Sequence, residues 1–174
     1  TVEQFITITD ETAPELVNIP ENETIECSDV NILENGNFFF AGDVYGEDNC
    51  GMDVTIEYSE EVQEDGDDCE DSYLIVRTWV ATDFCNNESM DQQVVTVVDT
   101  TNPIFVQFPA DETVECSDDL PAVVMPVAED NCDQVVEVAM TTETAPGECV
   151  GESFLYRIFR GFDNCGNEVM QTQT

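Results

Sequence analysis

DETAPELVNIPENETIECSD (residues 10–29) returns as DTTNPIFVQFPADETVECSD (residues 99–118). With an offset of 89 (99 − 10), both prolines, the cysteine and the flanking acids fall in register. EDNC (47–50) likewise returns as EDNC (129–132), and RTWVATDFCNN (77–87) returns as RIFRGFDNCGN (157–167). A repeat of this length in a chain of 174 residues predicts two copies of one small domain.

The repeat also predicts the domain boundaries. Residues 10–98 form the first domain, and residues 99–174 form the second, whose last strand is incomplete. Residues 1–9, TVEQFITIT, align with QQVVTVV (92–98), and we therefore interpret them as the last strand of a preceding domain. We expect the sequence to be a window of a longer tandem array, or a subunit whose first strand completes the open sandwich of the next subunit.

Segments with a hydrophobic period of two predict β-strands separated by turn residues. In the first domain one strand enters through LVNI and TIEC, a second runs through FFFAGDVY (38–45) to the EDNC turn, and a third is DVTIEYSE (53–60). A long strand, SYLIVRTWVATD (72–83), leads to the FCNN turn, and QQVVTVVD leaves the domain. This order predicts an all-β protein made of two tandem immunoglobulin-like β-sandwich modules with Greek-key connections.

The long strand is the predicted core element. Alternation places five of its residues on one face: Tyr73, Ile75, Arg77, Trp79 and Ala81. Trp79 and its counterpart Phe159 are predicted core aromatics. For Arg77 and its counterpart Arg157 we expect an ion pair with a carboxylate on a neighbouring strand, and a ligand-binding arginine is the alternative.

The eight cysteines divide equally between the two repeats: Cys27, Cys50, Cys69 and Cys85, then Cys116, Cys132, Cys149 and Cys165. An even number in each predicts disulfides in an oxidising, extracellular compartment, whereas zinc ligation is disfavoured because neither a CxxC pair nor a histidine is present. Four cysteines allow three pairings, and the predicted topology puts the loops of Cys50 and Cys85 at one pole of the sandwich and Cys27 and Cys69 at the other. The resulting prediction is Cys27–Cys69 and Cys50–Cys85, repeated as Cys116–Cys149 and Cys132–Cys165.

Charge excludes several classes of function. The chain has 40 acidic residues against 3 basic ones, for a net charge of −37, which repels nucleic acid and anionic membranes. No long apolar run is present, so we expect no membrane insertion. Without histidine or lysine there is no ready general base near neutral pH, and we expect the protein not to be an enzyme. The self-repulsion calls for screening by salt or divalent cations.

Calcium is the predicted cofactor, because it takes six to eight oxygen ligands and the acidic turns can supply them. The last strand of one domain delivers the linker aspartate to the pole of the next that holds the EDN and D-x-C turns. The predicted metal ligands are therefore Asp10 with Glu47, Asp48 and Asp83, and Asp99 with Glu129, Asp130 and Asp163. As an alternative, these aspartates cap turns by accepting backbone N–H bonds. EDGDDCED (64–71) is a weaker candidate because it lacks the spacing of an EF-hand loop.

Two Asn-x-Ser/Thr sequons, at Asn22 and Asn87, are weak candidates for glycosylation in a eukaryotic secretory route.

The combined pattern D-x-T-x-P, V/I-E-C-S-D, E-D-N-C and R-x-W/F-x-x-x-D-x-C-x-N resembles the hyalin-repeat (HYR-like) modules, which have an immunoglobulin fold. It is most similar to the cysteine-containing form found in tandem in large secreted and surface proteins of Bacteroidetes-type bacteria. The D-x-C-G-N turn at 163–167 is the most specific part of the resemblance. The first repeat has Asn86 where Gly166 stands, so we expect its turn to differ in backbone conformation.

The resemblance implies a secreted, non-catalytic repeat used in adhesion or in a surface fibre. Our leading hypothesis is a disulfide-stabilised, calcium-stiffened rod in an extracellular filament or giant cell-surface adhesin, whose partners are adjacent modules or copies of itself. The alternative is a glycan- or ligand-recognition module appended to a secreted enzyme, which an exposed aromatic platform would favour. Mineral binding is a third hypothesis and rests on the charge alone.

Overall fold

The protein is all-β, as the period-two pattern predicted. Its structure, a computed structural model, describes residues 2–30, 44–51, 53–66 and 69–174, and these residues contain one short 3-10 turn, Cys27–Asp29, but no α-helix. The strands are β1 (Glu15–Val17), β2 (Glu23–Glu26), β3 (Tyr45–Glu47), β4 (Thr55–Glu64), β5 (Tyr73–Thr82), β6 (Glu88–Val98), β7 (Ile104–Gln107), β8 (Val127–Glu129), β9 (Glu137–Pro146), β10 (Ser153–Phe162) and β11 (Glu168–Gln173).

The chain divides into two compact units. The first comprises Thr1–Ile25, Asp29–Asp65 and Tyr73–Val97, and the second comprises Glu26–Ser28, Gly66–Ser72 and Val98–Thr174. The units differ from the predicted domains in two ways: 26–28, 66–72 and Val98, which belong to the first repeat, lie in the second unit, and residues 1–9 lie in the first unit.

The first unit holds a four-stranded sheet, β2-β6-β5-β4, and a two-stranded sheet, β1-β3. The entering strand predicted through LVNI and TIEC is two strands in different sheets, because Asn18 has a φ of 67° and Pro20 follows it. Of the predicted strand FFFAGDVY, only the last two residues are among those described, and Tyr45 opens β3.

The second unit repeats this plan with one strand fewer. It holds a three-stranded sheet, β11-β10-β9, and a two-stranded sheet, β7-β8. In the first unit the residues Tyr73–Val76 of β5 pair with Val94–Val97 of β6. Their counterparts, Ser153–Tyr156 of β10, pair with β9 on one side, and in the described part of the chain no strand pairs with them on the other.

The core lies along the face of β5 that alternation predicted. Ile75, Trp79 and Ala81 are buried, together with Val95 and Val97 of the neighbouring β6. The Trp79 ring contacts Tyr58 with 5.4 Å between ring centroids. In the second unit Phe159 is fully buried and contacts Phe108 edge-on at 5.6 Å. Both predicted core aromatics are therefore confirmed.

The two predicted buried arginines have different partners. The Arg77 Nε lies 3.6 Å from Glu60, its register partner on β4, and its Nη1 donates to the Gln93 side chain at 3.0 Å. Arg157 donates to the Gln173 side chain at 3.2 Å and to the Pro121 carbonyl at 2.6 Å. The expected ion pair is thus present at Arg77, whereas Arg157 uses neutral acceptors because the β9 residue opposite it is Thr142.

The disulfides are not those predicted. The structure joins Cys27 to Cys132 and Cys69 to Cys165, so the predicted pairs Cys27–Cys69 and Cys132–Cys165 are wrong. All four cysteines lie in the second unit, because that unit includes the segments around Cys27 and Cys69. The prediction paired cysteines within each repeat and therefore missed bonds between repeats.

The other two predicted bonds, Cys50–Cys85 and Cys116–Cys149, are also not formed. These four cysteines are free and exposed.

The expected difference at the D-x-C-x-N turn was also wrong. Asn86 has a φ of 65° and Gly166 a φ of 87°, so both turns use a left-handed residue at this position. Asparagine tolerates that conformation better than most non-glycine residues do, which explains the exchange.

Candidate metal centre

Each linker aspartate forms an Asx turn just before the first strand of its unit. The Asp99 Oδ1 accepts the Thr101 N–H at 3.1 Å, and the Asp10 Oδ1 accepts the Thr12 N–H at 3.2 Å. Both aspartates therefore cap turns, as the alternative to metal binding predicted. Each of these turns uses only one oxygen of the carboxylate. In Asp99 the other oxygen, Oδ2, is buried and has no hydrogen-bond partner.

Four aspartates converge in the second unit. Asp99, Asp130, Asp133 and Asp163 each place a carboxylate oxygen so that these atoms all lie within 4.8 Å of one another. The Asp99 and Asp163 residues are only 7% and 8% exposed. Three predicted ligands of this unit, Asp99, Asp130 and Asp163, are thus brought together, and Asp133 is a fourth that the sequence did not single out.

Backbone N–H groups of the turns hold Asp130 and Asp163 through one carboxylate oxygen each. The Asp130 Oδ1 accepts the Cys132 N–H at 2.9 Å, and the Asp163 Oδ1 accepts the Asn167 N–H at 2.7 Å. The Oδ2 atoms of Asp99, Asp130 and Asp163 are buried without a partner. A buried carboxylate oxygen that accepts no hydrogen bond loses its hydration without compensation, and a cation at this point would supply it.

Asp133 is fixed in a different way. Its two oxygens accept the backbone N–H of Asn164 at 2.9 Å and the Asn164 side-chain amide at 2.7 Å. The same amide also donates to Asp71 at 2.7 Å.

An asparagine ties each linker aspartate to the D-x-C-x-N turn. The Asn167 side-chain amide donates to the Asp99 carbonyl at 3.2 Å, and the Asn87 amide donates to the Asp10 carbonyl at 3.4 Å. Neither residue was predicted to belong to the site. The signal was present in the sequence, because both asparagines lie four residues after the turn aspartate in the repeated motif.

The first unit gathers a smaller set. Asp10, Asp48 and Cys50 have ligand atoms within 4.8 Å of one another, and the Asp48 Oδ1 is buried without a partner. Asp83 does not join this cluster, because Asn87 donates to both of its oxygens, from the backbone N–H at 2.8 Å and from the side-chain amide at 2.7 Å. Burial acts to raise the pKa of Asp83, but these hydrogen bonds outweigh it and hold the pKa below its ordinary value.

The pKa of Asp99 reflects its burial and the negative charges beside it. Burial raises the pKa of the Asp99 carboxyl, the hydrogen bond from Thr101 opposes the rise, and the negative charges of Asp130 and Asp163 add to it. The structure therefore holds this carboxylate where a proton or a cation is favoured over a bare charge.

Two further predicted ligands also stay outside both clusters. Glu47 and Glu129 are the last residues of β3 and β8, and both side chains are exposed. The aspartate that follows each of them, Asp48 or Asp130, turns inward instead. The loop 64–71 includes Asp67 and Asp68, which lie outside the described residues, so its candidacy for calcium stays a prediction.

A further grouping, Cys27 with Asp99 and Cys132, offers no metal site, because both sulfurs belong to one disulfide. Of the two sequons, Asn22 is exposed and its side-chain oxygen accepts the Val94 N–H at 2.8 Å. The Asn87 amide nitrogen, to which a glycan would be attached, donates the two hydrogen bonds to Asp10 and Asp83.

The donors of the second-unit cluster are all oxygens, which select a hard cation rather than zinc or copper. Comparison of the chain with protein-family models and with curated proteins gives no match, so its function has to be inferred from its own residues. Among the described residues, no helix has the length and apolar character needed to cross a membrane.

Proposed function

We propose that this chain is a non-catalytic structural repeat of an extracellular filament or giant cell-surface adhesin, and that it binds Ca²⁺ at the linker aspartates. The observation that carries the proposal is the cluster of Asp99, Asp130 and Asp163, whose carboxylates come within 4.8 Å of one another and each keep one buried oxygen without a hydrogen-bond partner. One bound cation relieves their repulsion and fixes the start of the second repeat to its turns.

Calcium fits this cluster better than other hard cations do. Ca²⁺ accepts six to eight oxygens in flexible geometry, so the aspartates can be completed by backbone carbonyls and water. Mg²⁺ needs near-ideal octahedral geometry and is less suited to a site made of several protein carboxylates. Calcium sites in extracellular modules bind with dissociation constants of about 0.1–1 mM, and the net charge of −37 raises the local concentration of cations.

The disulfides support the extracellular part of the proposal. Cys27–Cys132 and Cys69–Cys165 persist in an oxidising compartment and are rare in the reducing cytosol.

One feature of the described residues supports self-assembly. Residues 2–9 lie outside any strand, and their apolar side chains are exposed, with Ile6 at 78% and Ile8 at 93%. Such an exposed apolar segment can add to a sheet edge of another copy, because an added strand supplies hydrogen bonds and core side chains together.

The repeat identifies the register of this contact. With the same offset of 89, Ile6 and Ile8 correspond to Val95 and Val97, which are 1% and 0% exposed within the first unit. We infer that residues 2–9 pair as a strand with a neighbouring copy, so that Ile6 and Ile8 fill core positions of the kind that Val95 and Val97 fill in the first unit.

Negative-stain electron microscopy of the purified chain, in millimolar calcium and in chelator, tests the proposal. We expect filaments in calcium that loosen or fray on chelation. The double change Ile6→Asp and Ile8→Asp is expected to abolish them, while the double change Thr7→Asp and Thr9→Asp, which places the same two charges on the opposite face of the segment, is the matched control. Short monodisperse particles in both conditions would contradict the proposed self-assembly.

The alternative, a glycan- or ligand-recognition module appended to a secreted enzyme, needs an exposed aromatic platform. Trp79, the only tryptophan in the sequence, is 2% exposed and packs against Tyr58, so it cannot form such a platform.

A further inference from the structure

The eight cysteines divide into a bonded half and a free half. Cys27–Cys132 and Cys69–Cys165 are disulfides, each joining a cysteine of the first sequence repeat to one of the second. The free and exposed cysteines are Cys50, Cys85, Cys116 and Cys149.

Each free cysteine is the repeat counterpart of a bonded one. Cys116 lies in VECSD as Cys27 lies in IECSD, and Cys50 ends EDNC as Cys132 does. Cys85 and Cys165 both follow the turn aspartate in D-x-C-x-N. Cys69 and Cys149 lie the same distance before them (85 − 69 = 16; 165 − 149 = 16). Each of the four disulfide-bonded cysteines therefore has one free cysteine as its counterpart in the other repeat.

We propose that the free cysteines link copies of this chain covalently, with Cys116 bonded to Cys50 of a second copy and Cys149 bonded to Cys85 of that same copy. The inference rests on the self-assembly put forward under Proposed function. The inference adds to that proposal the identity of the partner, a second copy of this chain, and the covalent bonds that join the two copies.

The turns around the free cysteines match those around the bonded ones. The Cys50 N–H donates to Asp48 at 2.8 Å, just as the Cys132 N–H donates to Asp130 at 2.9 Å. The Cys149 carbonyl accepts the Glu152 N–H at 3.1 Å, as the Cys69 carbonyl accepts the Ser72 N–H at 3.2 Å.

The turn at Cys85 follows the same rule. The Asp83 N–H donates to the Asn87 carbonyl at 3.1 Å, and the Asp163 N–H donates to the Asn167 carbonyl at 3.3 Å, so Cys85 and Cys165 occupy equivalent loops. The loops that carry three of the four free thiols thus have the backbone arrangement of loops that already carry disulfides.

The main rival is a bond within one chain between Cys50 and Cys85, which lie close enough for their charges to interact. Their counterparts argue against it, because Cys132 and Cys165 bond to Cys27 and Cys69 rather than to each other.

Each bond between copies forms when two thiols lose two protons and two electrons. A disulfide oxidant such as oxidised glutathione accepts them and is reduced to two thiols, by exchange through a mixed disulfide. Because the two copies contribute different cysteines, the contact is head-to-tail and does not close on itself, so repetition gives an open polymer with two disulfides at each joint.

Oxidation of the purified chain with oxidised glutathione in calcium tests this inference. We expect a ladder of covalent oligomers on a denaturing gel that collapses to monomer on reduction. In a mixture of ¹⁵N-labelled and unlabelled chains, peptide mapping should find Cys116–Cys50 and Cys149–Cys85 peptides that combine both labels. Cys50–Cys85 or Cys116–Cys149 peptides of a single label, without a ladder, would overturn the inference.

Two paired variants sharpen the result. The variant with Cys50→Ser and Cys85→Ser, and the variant with Cys116→Ser and Cys149→Ser, should each stay monomeric on the gel, whereas an equal mixture of the two should stop at a dimer. Both keep the disulfides of the second unit, and circular dichroism checks that they fold. Filaments in the microscope without any covalent ladder would overturn the cross-links and leave the proposed function standing, whereas the absence of both filaments and ladder would overturn both.

Discussion

Replacement of Asp99 by Asn should stabilise the calcium-free protein and destabilise the calcium-loaded one. Asparagine keeps the oxygen that accepts the Thr101 N–H, so the Asx turn survives. It removes the charge that lies against Asp130 and Asp163 in a site where the Asp99 residue is 7% exposed. The opposite signs in the two conditions distinguish a metal ligand from a purely structural cap.

The size of the effect follows from the separation of the carboxylates. Two unit charges 4.8 Å apart, the outer limit of the cluster, repel by about 0.9 kcal/mol in bulk water and about 3.5 kcal/mol at an effective dielectric constant of about 20. We therefore expect a gain of about 1–3 kcal/mol without calcium, or a rise in Tm of about 4 °C or more. At a calcium concentration of about 100 times Kd the wild type gains about 2.7 kcal/mol, and the variant should gain almost none of it.

The assay is thermal unfolding of both proteins in chelator and across a calcium series. Asp119→Asn is the matched control, because it removes the same charge from an exposed position of the second unit. We expect the curves of Tm against calcium to cross for Asp99→Asn and to stay parallel to the wild type for Asp119→Asn. A variant that is less stable than the wild type in chelator, and that responds to calcium as the wild type does, would refute the reasoning.

The stability difference between Asp99→Asn and the wild type should depend on pH. Since the folded-state pKa of Asp99 lies above its ordinary value, the native state binds more protons than the unfolded state between those two values. The contribution of Asp99 to the stability of the calcium-free wild type should therefore fall as pH rises through this window, and the advantage of Asp99→Asn should grow from near zero below about pH 4. Urea unfolding at several pH values measures it, and an advantage that is independent of pH would show that its cause is not the charge.

Three other changes give measurable results. Arg77→Met should cost about 3–5 kcal/mol in urea unfolding, because the Glu60 side chain, which is 8% exposed, loses the positive charge beside it and keeps only neutral donors such as the Tyr58 hydroxyl; adding Glu60→Gln should recover most of that loss, and a single-variant cost below about 1 kcal/mol would contradict the buried pair. Gly166→Ala should cost about 1–2 kcal/mol by Tm, because φ is 87° while no atom lies within 4 Å of the new Cβ; an unchanged Tm would mean that the turn relaxes. Replacing Cys27 and Cys132 by Ser opens a loop with a sequence separation of 105 and should cost about 4.7 kcal/mol on the chain-entropy estimate, whereas unchanged stability of the variant together with a Cys27–Cys69 peptide from the wild type would restore the pairing within one repeat.

The sequence predicted the features that depend on local pattern. Alternation in YLIVRTWVAT placed Ile75, Trp79 and Ala81 on the buried face, because a strand packed on one side needs apolar residues at every second position. The repeat likewise located the linker aspartates and the EDN and D-x-C turns that meet them.

The sequence could not predict features that depend on how segments far apart in the chain are distributed. The disulfide pairs were missed because 26–28 and 66–72 belong to the second compact unit, and no pattern in those residues shows it. Glu47 and Asp48 are adjacent acids of similar chemistry, and only the end of β3 decides which one turns inward. Asp83 looked equivalent to Asp163, but its side chain has two donors from Asn87.

The measurement that tests calcium binding most directly is isothermal titration of Ca²⁺ into the full chain at physiological salt, where diffuse binding to the many surface acids is screened. We predict a class of sites that is saturable and separate from the diffuse background, lost from the second unit in Asp99→Asn and unchanged in Asp119→Asn. Weak, featureless heats that are identical in the wild type and both variants would contradict a calcium site at the linker aspartates.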